Sequence, residues 1–372
     1  MFDRRLVEYF DWGFLILIFL IASVGMVVLY SASSAGSSAG AGAGALSPFV
    51  KKQIIWMIGG FFVMISMLTM DYRKLEKFNL FFFIACTGLL LAVLIFGHIG
   101  GGSRRWISFG FFTLQPSELM KIVLIISLAA AYSNSVSQTG LNFRKLLKPA
   151  VLCLIPFLLI LSQPDLGTGL LLILIAGSMT LFVKLERKVF LILAAVGISI
   201  IPLFWMILKD YQKQRILIFI NPDRDPLGAG YHIIQSKIAI GSGMLTGKGF
   251  LKGTQNALAF LPEQHTDFIV SVLAEEWGLA GISVLLALYF ILILWCFNIA
   301  YNCRNMFGTI LAFGITSMIF WQILINFGMV TGLLPVVGVP LPLVSYGGSS
   351  FITNMIALGI LLNISMHKFL SA

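Results

Sequence analysis

The chain has 372 residues, of which 59% are hydrophobic and only 11% are charged. Soluble domains carry about 25% charged residues, so this composition excludes an ordinary soluble protein and indicates a chain surrounded largely by lipid. The net charge of +10 is distributed over short connections and forms no basic stripe interleaved with aromatics, which argues against nucleic-acid binding. The four cysteines lie in or beside apolar runs without metal-type spacing, so neither disulfides nor a cysteine metal site is expected.

Apolar runs long enough to cross a bilayer recur along the chain. A helix needs about 20 apolar residues to span the hydrocarbon core. Ten runs meet or approach this length, at 12–32, 53–70, 78–97, 116–133, 149–163, 166–183, 188–208, 268–299, 306–329 and 347–366. The expected fold is an all-α polytopic membrane protein with ten transmembrane helices in a single integral membrane domain, residues 1–372. The eighth run exceeds what a bilayer needs, so its first turns are expected to project beyond the lipid.

Lys and Arg in the short loops predict the orientation, because they concentrate on the cytoplasmic side. With a cytoplasmic N-terminus, the inside segments hold Arg4, Arg5, Arg73, Lys74, Lys77, Arg144, Lys145, Lys148, Lys184, Arg187, Lys188, Arg304 and Lys368. The short outside loops hold only Lys51, Lys52, Arg104 and Arg105. Both termini are then cytoplasmic, and one long extracytoplasmic loop at about 209–266 connects helices 7 and 8. The low-complexity stretch Ser34–Ala45 is expected to be a flexible outside loop.

Polar residues collect at the predicted outer face. In chain order, the groups are Arg104-Arg105-Trp106, Gln115-Pro116-Ser117-Glu118 with Lys121, Gln163-Pro164-Asp165, Asp267, and Ser345-Tyr346-Gly347-Gly348-Ser349-Ser350. This distribution indicates a site built between the mouths of several helices. Asp267 is its most informative member, because a carboxylate at the start of a membrane span is costly and usually marks a functional site.

Each group also has a purely structural explanation. Glu118 and Lys121 are spaced i,i+3 and can pair along one helix face. Arg105 can extend to the membrane interface without contacting a ligand, and Asp165 can simply cap the sixth helix. Asp267 can be a helix N-cap, a role compatible with chemical reactivity. The sequence leaves these alternatives open.

The same stretches carry a resemblance to a known family. They are Arg105-Trp106, Gln115-Pro116-Ser117-Glu118, Gln163-Pro164-Asp165-Leu166-Gly167-Thr168, Leu261-Pro262-Glu263-Gln264-His265-Thr266-Asp267-Phe268, Gly332-Leu333-Leu334-Pro335 and Pro342-Leu343-Val344-Ser345-Tyr346-Gly347-Gly348-Ser349-Ser350. With these motifs in order over most of its length, the chain resembles the SEDS family (shape, elongation, division, sporulation) of bacterial polytopic membrane proteins. The stretch from Asp225 to Lys237 resembles the elongation branch of the family more than the division branch.

The resemblance implies a peptidoglycan glycosyltransferase of the bacterial cytoplasmic membrane that acts during cell elongation. Its substrate would be lipid II, a disaccharide-peptide on polyprenyl pyrophosphate. Its partners would be a class B penicillin-binding protein transpeptidase and other membrane proteins of the elongation complex. The family's essential aspartate corresponds to Asp267, which is therefore the expected catalytic residue.

A single carboxylate is chemically sufficient for that reaction. The donor sugar is α-linked and the product linkage is β-1,4, so the anomeric centre inverts and a base must take the proton of the attacking hydroxyl. Pyrophosphate leaves as a stable anion, which removes the need for a second carboxylic acid but favours nearby positive charge. The candidate substrate-binding residues are Arg105, Glu118, Lys121, Asp165, Lys237, Lys248 and Ser345. A divalent cation, Mg²⁺ or Mn²⁺, held by Asp267 or Glu118 is left open.

Two functions of other classes stay open as alternatives. A lipid II flippase would also have many spans with a few intramembrane charges. Carriers commonly contain paired broken helices, whereas the Pro- and Gly-rich interruptions here cluster at the outside loops. A non-catalytic scaffold for a penicillin-binding protein is the second alternative, but it leaves the convergence of outward-facing polar groups unexplained.

Overall fold

The computed structural model describes residues 10–34, 47–100, 103–108, 113–135, 140–207, 210–221, 225, 228–258, 260 and 264–367. Residues 35–45 of the predicted flexible loop lie outside these ranges, as do Arg4, Arg5 and Lys368 at the two ends of the chain.

Helices account for most of the described chain. They are α1 (Trp12–Ser34), α2 (Pro48–Leu68), α3 (Arg73–Lys77), α4 (Asn79–Phe96), α5 (Pro116–Ser133), α6 (Phe143–Ser162), α7 (Leu166–Phe182), α8 (Arg187–Ile207), α9 (Asp210–Ile220), α10 (Ala229–Ser242), α11 (Thr254–Ala257), α12 (Ile269–Asn302), α13 (Met306–Thr331) and α14 (Gly348–Met366). Each predicted span falls on one of these helices, which confirms the helical membrane fold. Eight of them are long and apolar enough to cross a membrane, namely α1, α2, α4, α5, α6, α12, α13 and α14. The α7 helix is apolar but has 17 residues, and α8 is not among the eight, so ten crossings stay a prediction.

A small sheet in the second predicted outside loop was not expected from the sequence. It consists of β1 (His98–Gly100), β2 (Ser103–Ser108) and β3 (Thr113–Leu114), paired antiparallel in the order β1-β2-β3. Strands this short carry too little alternation to be recognised, and the glycines around them resemble an ordinary loop. The sheet matters because β2 carries Arg105.

Three helices form the centre of the molecule. Most of α5, α13 and α14 is buried, whereas most of α2, α4 and α6 faces outward. The α13 helix packs against α5, α7 and α12, and α14 packs chiefly against α2. Because these central helices are shielded from lipid, they can carry polar side chains that a peripheral helix could not.

The α12 helix is broken at Gly278, whose φ of 63° and ψ of −159° are not helical. The segment Met244–Gly249, called the insert loop below, fills the break. Four backbone hydrogen bonds join the two, from Lys248 N to Glu275 O (3.0 Å), Gly249 N to Glu276 O (2.9 Å), Leu279 N to Met244 O (2.9 Å) and Ala280 N to Leu245 O (3.0 Å). These bonds satisfy groups that the break removes from the helix, as a lipid environment requires.

The first turns of α12 are covered by other parts of the protein, and their projection beyond the lipid stays a prediction. Residues from Ile269 to Glu276 are all buried. The insert loop and α10 cover them, since α10 packs directly on α12.

Replacing Gly278 with alanine is expected to destabilise the protein by more than about 1 kcal/mol, because alanine is strained at positive φ. A Cβ at this position would also lie 2.4 Å from Gly247 N in the insert loop. Thermal unfolding of the purified variant measures the effect. Gly59→Ala is the matched control, because a Cβ there meets nothing within 4 Å. Equal melting temperatures for the two variants would contradict the fixed break.

Candidate active site

Asp267 lies in the turn Gln264–Phe268 that leads into α12, here called the Asp267 turn. The helix begins at Ile269 with Phe268 in the N-cap position, so Asp267 lies one residue before the cap. Asp267 is partly exposed. A Cβ built at Gly338, in the loop between α13 and α14, would lie 3.4 Å from Asp267 Oδ2. The φ of +76° at Gly338 also favours glycine, so this loop passes beside the carboxylate without placing a side chain there.

Three successive carbonyls fix the backbone of the Asp267 turn. The bonds are Tyr346 N to His265 O (3.0 Å), Ser345 Oγ to Thr266 O (2.6 Å) and Asn326 Nδ2 to Asp267 O (3.1 Å). Asn326 is fully buried on α13 and also donates to Val339 O at 2.8 Å, so it holds the turn and the following loop together. Because the backbone is anchored on three sides, the position of the carboxylate is well determined.

Ser345 serves this anchoring with its whole hydroxyl group. It donates to Thr266 O and accepts from Leu341 N at 2.9 Å. Ser345 therefore has a positioning role, and its contact with substrate stays a prediction. Its neighbour Tyr346 is a poor candidate for a base, because partial burial raises the pKa of its phenol.

Arg105 and Asp165 form a second cluster. The Arg105 guanidinium donates to the carbonyls of Gln163 (3.4 Å) and Pro164, and its Nη1 lies 3.8 Å from Asp165 Oδ1. Asp165 is buried and caps α7 through Thr168 N at 3.3 Å. Its Oδ2 accepts from three further groups, Thr168 Oγ1 (2.9 Å), Gln115 Nε2 (3.2 Å) and Ser117 Oγ (3.4 Å). The capping alternative for Asp165 is therefore confirmed, and its oxygens are largely committed.

The stretch Ser345–Ser349 connects the two clusters. At one end Ser345 and Tyr346 hold the Asp267 turn. At the other end Ser349 Oγ accepts from Gln115 N at 3.1 Å and donates to Thr113 O at 3.0 Å. This stretch of chain, hydrogen-bonded at both ends, thus links the Asp267 turn to the cluster of Arg105 and Asp165.

Glu118 and Lys121 form a closed ion pair on α5. Lys121 Nζ lies 2.9 Å and 2.8 Å from the two carboxylate oxygens, and both side chains are buried. The pairing that their spacing allowed is confirmed. Whether either residue also contacts substrate stays a prediction.

The two loop lysines occupy different settings. Lys248 pairs with Glu275 at 2.7 Å and donates to Thr254 Oγ1 at 2.8 Å, which ties the insert loop to α12. Lys237 is exposed on α10. Its side chain lies against Gly332, the residue directly after α13, where an added Cβ would be 2.8 Å from Lys237 Nζ. Lys237 forms no ion pair with any other residue that the structure describes.

Comparison with known proteins then decides the family. A family model described as "Cell cycle protein", covering FtsW, RodA and SpoVE, matches residues 11–369. The chain belongs to this family. This is the SEDS family that the sequence motifs resemble, and the predicted family membership is therefore confirmed.

The family relatives include enzymes with established names. The chain is 45% identical to the peptidoglycan glycosyltransferase MrdB of Escherichia coli K12 over 83% of each chain. It is 33% identical to the peptidoglycan glycosyltransferase RodA of Treponema pallidum over 98% of this chain and 99% of the relative. Among solved structures, it matches a chain of a peptidoglycan synthase complex that coordinates polymerization and crosslinking, with a TM-score of 0.81, 29% identity and coverage of 97% and 98%. It also matches Thermus thermophilus RodA, with a TM-score of 0.70, 27% identity and the same coverage.

Among the described residues, we find no set of ligands ready to hold a divalent ion. Both oxygens of Glu118 are engaged by Lys121, and Asp165 is committed to its own network. Within the described ranges, no three residues among His, Cys, Asp and Glu cluster as metal ligands. We therefore derive no catalytic step through Mg²⁺ or Mn²⁺.

The sequence analysis missed several buried polar residues of the central helices. Gln322 lies one turn from Asn326 on α13, and neither of its polar atoms has a hydrogen-bond partner among the described residues. Thr353 Oγ1 and Asn354 Oδ1 on α14 are in the same situation. Arg215 on α9 was also missed, and it donates to Val336 O at 3.3 Å, two residues before Gly338. Polar side chains four residues apart inside an apolar run were the available signal for Gln322 and Asn326.

Breaking the buried ion pair between Glu118 and Lys121 is expected to lower the stability of the protein strongly, whereas removing both charges together is not. Lys121→Met leaves a buried carboxylate unpaired and should destabilise the protein by about 3–5 kcal/mol, most of which Lys121→Met with Glu118→Gln should recover. Thermal unfolding tests the stability. A single variant as stable as the parent would contradict the pair. Activity that returns with stability assigns the pair a structural role, and a stable but inactive double variant assigns Lys121 a substrate contact.

Proposed function

We infer that this chain is a peptidoglycan glycosyltransferase, a multi-pass protein of the bacterial cytoplasmic membrane. Relatives from both branches of the family bear that activity in their names, at 45% identity for MrdB and 38% for an FtsW of Geobacter sulfurreducens. The observation that carries the proposal is the Asp267 turn. Its three carbonyls are anchored while Asp267 itself stays partly exposed beside Gly338.

The proposed substrate is lipid II, polymerised at the outer face of the membrane. Its polyprenyl tail stays in lipid and its sugar head group reaches the interface, where the predicted topology places Asp267. Asp267 acts as the general base. It accepts the proton of the attacking 4-hydroxyl, while the bond from the anomeric carbon to pyrophosphate breaks and the configuration inverts.

Lys237 is the proposed partner of the leaving pyrophosphate. Arg105, Lys121 and Lys248 are each engaged with carboxylates or carbonyls, whereas Lys237 is exposed. Its helix, α10, lies directly along the start of α12. His232 stacks on Phe268 with ring centroids 6.0 Å apart, and Ser236 Oγ lies 2.9 Å from Ser271 Oγ. A cation on this helix is therefore well placed to stabilise negative charge that develops near Asp267.

A class B penicillin-binding protein is the proposed partner, because the solved complex that this chain resembles couples polymerization to crosslinking. Other membrane proteins of the elongation complex are proposed as further partners, because the resemblance to the elongation branch of the family implies them. The partner would crosslink the strands that this chain polymerises.

Asp267→Asn is expected to reduce glycan polymerisation by about 10²–10⁴-fold, because the amide has the same shape but cannot accept the proton. The measurement is glycan strand formation from lipid II by purified protein, alone and with the partner. Asp71→Asn is the matched control, since Asp71 accepts a hydrogen bond from Arg73 N at 2.9 Å and asparagine can keep that bond.

Three outcomes decide the proposal. Polymer formed by the parent and Asp71→Asn but not by Asp267→Asn supports it. Undiminished polymer from Asp267→Asn removes Asp267 as the base. If the parent makes no polymer even with its partner, the glycosyltransferase proposal fails, and lipid II movement in sealed vesicles then separates a flippase from a scaffold.

Lys237→Gln is expected to lower kcat/KM about a hundredfold, because one donor to the developing charge is lost. Lys252→Gln, which removes an exposed cation from the same loop region, should have little effect. Steady-state rates at several lipid II concentrations make the comparison. Equal losses in the two variants would point to general electrostatic attraction and not to a contact from Lys237.

A further inference from the structure

An apolar groove opens between α5, α6, α7 and α8 at the membrane face opposite Asp267. Its volume is about 690 Å³, within the roughly 300–1,000 Å³ typical of ligand pockets. The lining includes Leu128, Tyr132, Ala150, Cys153, Gly177 and Phe190. A neighbouring hollow of about 440 Å³ shares Phe190 and is bordered by Arg187. In the predicted topology this groove opens to the cytoplasmic leaflet.

Two basic segments flank the groove. They are Arg144–Lys148 at the start of α6 and Lys184–Lys188 at the start of α8. Their cations, Arg144, Lys145, Lys148, Lys184, Arg187 and Lys188, are all exposed, and Glu186 is the only acidic residue in either segment.

The backbone holds the two segments side by side. Leu141 N donates to Lys184 O at 2.9 Å, and Glu186 N donates to Leu141 O at 3.4 Å. Leu141 is buried and Leu185 lines the groove, so this bridge forms its rim. The concentration of positive charge at the rim is thus fixed by the fold and does not depend on flexible loops.

We propose that this groove binds an anionic glycerophospholipid of the cytoplasmic leaflet. The acyl chains occupy the apolar groove, and the phosphate-bearing head group lies among the basic segments. Basic pockets between membrane helices on the cytoplasmic side recognise anionic lipid head groups in this way. The general enrichment of Lys and Arg in cytoplasmic loops explains the presence of these charges. It does not explain why an apolar groove opens between two basic segments that the backbone holds together.

The sugar-bearing substrate is a poorer fit for this groove. Its head group must meet Asp267, which lies at the other end of the helices. A lipid of the cytoplasmic leaflet has its phosphate at the height of the basic rim. Its acyl chains can therefore fill the apolar groove while its phosphate contacts the rim.

Filling the groove should displace the lipid. Gly177 is exposed on α7, and a Cβ there meets nothing within 4 Å, so Gly177→Leu should fold normally and occupy the groove. Gly88→Leu on α4 has the same open surroundings and lies outside the groove, which makes it the matched control. The full chain is purified with phosphatidylglycerol and phosphatidylcholine in equal amounts, and bound lipid is measured by native mass spectrometry. We expect preferential retention of phosphatidylglycerol by the parent and Gly88→Leu, and its loss in Gly177→Leu.

Removing rim charge should abolish the head-group preference. Lys148→Gln with Arg187→Gln should weaken retention of phosphatidylglycerol by about fivefold for each cation removed, with little change for phosphatidylcholine. Lys51→Gln with Lys52→Gln removes the same charge at the predicted outer face and should leave the preference intact.

The proposal is overturned if Gly177→Leu retains phosphatidylglycerol as the parent does, or if both double variants lose it equally. Displacement of bound phosphatidylglycerol by undecaprenyl phosphate, in a manner abolished by Gly177→Leu, would instead assign the groove to the polyprenyl carrier and overturn the phospholipid assignment. These binding measurements do not involve glycan synthesis, so their result is independent of the proposed enzymatic activity.

Discussion

The hydrogen bonds to three consecutive carbonyls, those of His265, Thr266 and Asp267, are the interaction on which the candidate site depends. The donors are Asn326 on α13 and Ser345 and Tyr346 just before α14, so residues far from the turn in sequence hold it in place. A carboxylate intended as a base must be placed within hydrogen-bond reach of one hydroxyl. Anchoring the backbone of the turn achieves this placement while Asp267 itself stays partly exposed.

The same need to satisfy polar groups internally explains other features of the membrane region. At the break in α12, the insert loop provides the donors and acceptors that the helix loses, and the Lys248–Glu275 pair fastens the loop there. At the outer turn between α6 and α7, Asp165 collects the polar groups of Gln115, Ser117 and Thr168. Because a bilayer core offers no water to compensate unpaired groups, internal partners of this kind are needed wherever an irregular backbone lies within it.

The molecule separates its two kinds of surface along the helix axes. One end carries the hydrogen-bonded network around Asp267 and Arg105. The other carries the bridged basic segments and the apolar groove, where the proposed phospholipid would anchor the peripheral helices α6–α8. Since α5 lines this groove and its N-terminal end carries Glu118 and Lys121, a bound lipid would press on the same helix that borders the site.

The sequence alone determined the helical membrane fold and the positions of the helices, and it predicted a set of polar residues at one membrane face. Apolar runs and Lys/Arg placement report directly on the bilayer, which acts as a uniform solvent, and so they can be interpreted locally. The roles of the individual polar residues were decided only by tertiary structure. Nothing in the local sequence distinguishes Asp165, committed to a cap, from Asp267, whose backbone is anchored and which is partly exposed. The break at Gly278 and the contribution of Asn326 were hidden for the same reason, because they depend on hydrogen-bond partners tens of residues away that come together only once the helices have packed. The strand that carries Arg105 pairs with nearby residues, but it is too short for its alternation to be recognised.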